Sequence, residues 1–111
     1  MGEYATMGNV HDYIKELESI KNQIVKLYTP EKIILFGSLA KGVVNQNSDI
    51  DICIVKDTEN KRELISDIYI NIDSSYPFDV ILYTSEEWGY NIKDKSSFAY
   101  RIFKEGRLLY G

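Results

Sequence analysis

The chain has 111 residues, 44% of them hydrophobic and 27% charged, which is the size and make-up of one globular domain with a single core. Its formal net charge of −4 leaves no basic footprint for gripping nucleic acid and argues against a stand-alone polymerase. The one cysteine allows no disulfide within the chain, making a reducing cytoplasm the simplest compartment, and no apolar run approaches the roughly 20 residues of a membrane span.

The chain in order reads as a flexible start, residues 1–8, followed by one domain over 9–111. The start has neither the basic nor the apolar region of a signal peptide. It fits only the loose myristoylation pattern, from Met1-Gly2 to Thr6, which carries little weight by itself. Apolar residues spaced by three and four from Val10 to Tyr28 predict an amphipathic helix, with Asn9 as N-cap and Thr29-Pro30 as its stop. His11, in its first turn, reads as a solvated surface residue. Lys32 to Phe36 is a β-branched run of strand length, and Gly37-Ser38 after it reads as a tight bend. Leu39-Ala40-Lys41 reads as the first turn of a short helix whose N-terminus would face an anion.

Ile50 to Val55 is the next strand pattern. Alternation puts Asp49 and Asp51 on one face and Ile50, Ile52 and Ile54 on the other; Cys53 reads as a buried, inert thiol. Asp57-Thr58 predicts the cap of a second helix running to about Ile72. Asp73 to Pro77 is then a turn into a third strand, Phe78 to Tyr83, which carries a single acid, Asp79. Thr84 to Glu87 has the form of a capping box that opens a short helix around Trp88, ended by Gly89 and Asn91. A further helix from about Ser96 to Lys104 should end on Gly106, and Arg107 to Tyr110 reads as a last short strand. Strand and helix alternate throughout, and the sheet is expected to carry helices on one face and the site on the other. Nine tyrosines and one tryptophan are many for so small a core. Tyr90, Tyr100 and Tyr110 are therefore candidates for an interface, or else for half-buried caps on the core edge.

The candidate chemistry lies between Gly37 and Asp79. Two carboxylates on one strand face, about 6 to 7 Å apart at their Cα atoms, repel unless a cation sits between them. Mg²⁺ suits such a pair, because it takes one or two carboxylates and completes its shell with water and substrate phosphates. The Gly37-Ser38 bend offers close backbone approach, a hydroxyl and an amide to those phosphates. An acid on an otherwise apolar strand needs a partner if buried, and a metal shared with Asp49 and Asp51 is the natural one for Asp79.

With G-S-L-A-K-G from Gly37, S-D-I-D-I from Ser48 and the later strand acid, the chain resembles the nucleotidyltransferase superfamily of the DNA polymerase β type. Its shortness points to the minimal nucleotidyltransferase branch. The resemblance runs from about Ile33 to Val80, with a looser match from Glu105 to Tyr110. It implies the nucleotidyltransferase fold, an α/β (α+β) domain with a small mixed β-sheet. It also implies that Gly37 and Ser38 hold the β and γ phosphates of ATP or another NTP, with Lys41 beside them. Asp49, Asp51 and Asp79 would then be the catalytic acids binding two Mg²⁺ ions. Lys41 stands where many relatives have arginine, which keeps the charge but loses bidentate geometry. The implied reaction moves a nucleoside monophosphate, AMP above all, from an NTP to a hydroxyl.

No acceptor-binding part follows the catalytic half, so the acceptor is expected on a separate chain. The resemblance implies a small helical HEPN-type toxin encoded nearby, whose antitoxin this chain would be. Two other readings stay open. One is a binding module that neutralises its partner by contact alone; the other is a small-molecule nucleotidyltransferase completed by homodimerisation.

Overall fold

A computed structural model describes residues 10–43 and 49–111. The N-terminal segment, the Asn9 cap and Ser48 of the acidic motif lie outside the described residues. The elements, in order, are α1 (Val10–Tyr28), β1 (Lys32–Phe36), a 3₁₀ turn (Leu39–Lys41), β2 (Ile50–Val55), α2 (Lys61–Asn71), β3 (Phe78–Tyr83), α3 (Ser85–Asn91), α4 (Phe98–Glu105) and β4 (Arg107–Tyr110). The strands form one four-stranded mixed sheet in the order β3-β2-β1-β4. β1 runs antiparallel to both β2 and β4, while β2 and β3 are parallel.

Strand alternation sorts the sheet into two packed faces. On one, Ile33, Leu35, Ile50, Ile52, Ile54 and Leu82 pack with Tyr13, Ile20 and Ile24 of α1 and Ile68 of α2. The β2 isoleucines on this face are fully buried, each contributing roughly 1.5–3 kcal/mol. On the other face, Ile34, Cys53 and Val55 pack with Trp88 of α3 and with Ala99 and Ile102 of α4. Helices therefore cover both faces, which corrects the expectation of helices on one side only. The reason is in the pattern of β2: Cys53 and Val55, next along from Asp51 on its face, are themselves apolar and need cover.

Local chemistry sets the boundaries. α1 stops where Thr29, before Pro30, turns to a φ of +43°. α2 starts later than expected because Asn60 is its cap, its side chain accepting from the Glu63 amide at 3.0 Å. Thr58 instead accepts from the Asn60 amide, and Asp57 from the Ser85 amide. The Thr84–Glu87 capping box forms on both sides, and Gly89 lies inside α3 rather than ending it. α4 is capped by Ser97.

Gly106 ends α4, but with an extended φ of −77° and not the left-handed turn expected of it. Its glycine is required by space. A Cβ there would stand 2.5 Å from the Ile102 carbonyl, 2.7 Å from Cγ2 of Ile34 and 2.9 Å from the Leu35 carbonyl. Gly106→Ala should consequently cost about 1–3 kcal/mol through overpacking. Gly89→Ala, a helical position with nothing within 4 Å, should gain about 0.5–1 kcal/mol. Melting curves of the two variants should move in opposite directions, by several degrees for a domain of this size.

Candidate active site

β1 hands the chain to Gly37, whose φ of +79° lies in the left-handed region. A Cβ at Gly37 would also sit 2.4 Å from Oδ2 of Asp51. Glycine is needed there twice over, for the turn and for the close approach of the carboxylate. The turn is closed by the Lys41 and Val43 amides, which both donate to the Ser38 carbonyl at 3.0 Å. Its helical part is a single 3₁₀ turn of three residues, Leu39–Lys41. The short helix expected there is thus of the 3₁₀ kind, too short for any sizeable sum of peptide dipoles. What the bend offers an anion is Ser38 itself, whose hydroxyl and amide make no hydrogen bond among the described residues. From β4, Arg107 Nε donates to the Ala40 carbonyl at 2.8 Å and fastens the turn to the sheet edge. Sequence reading missed this clamp, because nothing local marks an arginine on a four-residue strand as reaching across it.

Asp51 and Asp79 are register partners across the parallel pair β2–β3. They stand side by side on the α3–α4 face, with exposed Asp49 two residues before Asp51. Asp51 is half-buried, and its carboxylate forms neither a hydrogen bond nor an ion pair among the described residues. Burial holds its carboxyl above the ordinary value of 3.8, and the charges of Asp79 and Asp49 push it further the same way. All three fields thus meet at one carboxyl group. Asp79 is exposed on an edge strand, so burial does not force a partner on it as the sequence suggested. Nor, among the described residues, do three acid, histidine or cysteine side chains close around a point that would hold a metal ion. Asp49, Asp51 and Asp79 are hard oxygen donors of the type that suits a divalent cation such as Mg²⁺.

Beside the acids, a cavity of about 200 Å³ opens between the bend and α4, lined by residues that include Phe36, Gly37, Lys41 and Arg101. Lys41 Nζ lies 3.6 Å from Oε1 of Glu105. Another opening, at the far end of β2 and β3, is lined by Asp57, Thr58, Glu59, Thr84, Ser85 and Glu86. Its acids repel a phosphate. Cys53 is no nucleophile, since burial pushes its thiol up to about 12. No helix among the described residues is long and apolar enough to cross a membrane. Of the three candidate interface tyrosines, Tyr90 is 72% exposed and Tyr110 39% exposed, whereas Tyr100 is half-buried.

The mixed four-stranded sheet with an acid pair beside a Gly-Ser bend is consistent with a nucleotidyltransferase fold, and sequence comparison agrees. The profile of the family described as "Polymerase beta, Nucleotidyltransferase" matches residues 18–111. A protein of Methanocaldococcus jannaschii, named as a proposed protein adenylyltransferase, is 36% identical over 80 residues, covering 72% of this chain and 78% of its own length. The chain belongs to the polymerase β-like nucleotidyltransferase family.

Asp51 gives a pH test with a definite sign. Because its folded-state pKa lies above the unfolded value, ionisation at Asp51 withholds stability as pH rises above 3.8 and ceases to do so below it. Asp51→Asn, measured in chelator, should melt at or above the wild type at pH 7, and the gap should close on acidification towards 3.8. Saturating Mg²⁺ should raise the wild type and leave the variant unmoved. A variant that melts well below wild type at pH 7 would mean that a favourable partner holds this carboxylate.

Proposed function

We propose that this nucleotidyltransferase transfers AMP from Mg·ATP to a hydroxyl group on a partner protein: the hydroxyl oxygen, losing its proton, bonds to the α-phosphorus as the bond to the α–β bridging oxygen breaks, and pyrophosphate leaves. The observation that carries the reading is the pairing of Asp51 with Asp79 beside the Gly37 bend: a repelling acid pair next to an unused hydroxyl and amide. The M. jannaschii relative's name, with its protein acceptor, supports the choice of acceptor.

In this reading Asp49 and Asp51 hold the nucleotide's metal, Gly37 and Ser38 receive the β and γ phosphates, and Lys41 adds charge at their edge. Asp79, exposed on the edge strand, faces the side open to an incoming acceptor and helps bind the metal that activates its hydroxyl. Two Mg²⁺ ions, when bound, would neutralise the carboxylates and the charge developing on the phosphate oxygens. The partner we assign is a small helical HEPN-type protein encoded nearby, making this chain its antitoxin. The exposed aromatic surface at Tyr90 is the kind of feature that protein contacts use.

Asp79→Asn tests the reading. The variant should still bind Mg·ATP and still form the complex, but transfer should fall by several orders of magnitude. Co-expression with the neighbouring gene, followed by intact-mass measurement of the partner, reads this directly. The wild type should add the mass of one or more AMP groups, and the variant none. If Asp79→Asn protects the host fully while the partner's mass stays unmodified even with wild type, neutralisation is by contact and the transfer reading fails.

A further inference from the structure

The cavity beside the bend contains side chains that the proposed phosphate and metal roles leave unused. At about 200 Å³ it is smaller than the roughly 300–1,000 Å³ of pockets for whole drug-sized ligands, and suits one ring system. Phe36 and Phe98 form its wall edge to face, with ring centroids 5.6 Å apart and an angle of 88° between planes. Phe98, the first residue of α4, is 47% exposed although its neighbours Ala99 and Ile102 are buried. Arg101 stands three residues further on, hence on the same side of the helix. Its side chain is exposed, and its guanidinium forms no hydrogen bond or ion pair among the described residues.

The cavity is continuous with the acid site. Phe36 is the register partner of Asp51, and directly opposed residues of an antiparallel pair share a face, with Cα atoms about 4.5–5.5 Å apart. Gly37 lines the cavity and touches the Asp51 carboxylate as well. The cavity's inner walls are apolar: Phe36, Phe98 and Ile102 would strip an anion of its water. A flat, uncharged aromatic ring fits these walls, and an arginine guanidinium free of partners stacks on such a ring.

We propose that this cavity seats the base of the nucleotide, held between Phe98 and Arg101. The inference rests on the reading of the Gly37–Asp51 site as a nucleotide site and adds to it the residues that grip the nucleoside end. It makes the C-terminal helix a binding element and not merely cover for the sheet.

Titration calorimetry of the full chain in Mg²⁺ with two ligands, ATP and inorganic tripolyphosphate, separates base from phosphate. Phe98→Ala and Arg101→Gln should each weaken ATP by about tenfold or more, the scale of one base–aromatic stack, and leave tripolyphosphate unchanged. Phe98→Tyr, which keeps the ring, should retain ATP affinity and controls for any folding defect. Asp51→Asn should weaken both ligands. The inference is overturned if the Phe98 and Arg101 variants bind ATP as the wild type does, or if they lose both ligands equally. Equal affinity of the wild type for ATP and tripolyphosphate overturns it too, while sparing the phosphate and metal site. Failure of the wild type to bind either ligand removes the site reading and this inference together.

Discussion

Two carboxylates held side by side across a strand pair are an unfavourable arrangement, and the rest of this molecule is what keeps them there. Asp51 and Asp79 oppose one another because β2 and β3 run parallel in one register. That register is pinned from behind. Ile50, Ile52 and Ile54 alternate with Asp51 and are fully buried against α1 and α2. A slip by one residue would bring the acids into the core and the isoleucines out of it, at a cost of several kcal/mol. The repulsion at Asp51 is therefore small against the burial that enforces it. The fold can hold like charges together at rest, in the place where a cation-bearing substrate would relieve them.

The second constraint is the approach of backbone to carboxylate. Gly37 brings the bend so near Asp51 that no side chain fits between them. Whatever binds at the bend is thus in reach of the acid. Arg107 holds the bend from the other side through the Ala40 carbonyl, which links the last strand of the chain to the turn after the first. Gly106, immediately before it, lets α4 close onto Ile34 and Leu35. In this way the C-terminal residues, which look like a mere finishing strand in the sequence, shape the cavity beside the site.

Most of the elements were legible because their signals are local. The 3- and 4-spaced apolar positions of α1, the β-branched runs of β1 and β2 and the Thr84–Glu87 capping box each depend on residues within a few positions of one another. The misreadings concern contacts distant in sequence. Asp57 looked like a helix cap but serves the Ser85 amide across the fold. Gly106 looked like a left-handed terminator, yet its need is the space taken by Ile34 and Leu35. Asp79 looked costly on an apolar strand only while the strand was taken as buried; at the sheet edge it is exposed. Arg101 drew no notice, since an exposed residue on an amphipathic helix carries no pattern until the fold sets it beside Gly37.

The central claim is that a metal-bound nucleotide sits on the face shared by Gly37, Asp51 and Asp79. Backbone amide NMR spectra recorded while a non-hydrolysable ATP analogue is added, with and without Mg²⁺, test it residue by residue. The account predicts Mg²⁺-dependent shifts at Gly37, Ser38, Lys41, Asp51 and Asp79, and little change at the opposite end around Asp57 and Ser85. Shifts confined to the Asp57–Ser85 end, or a spectrum that the Mg²⁺-bound analogue leaves unchanged, would contradict it.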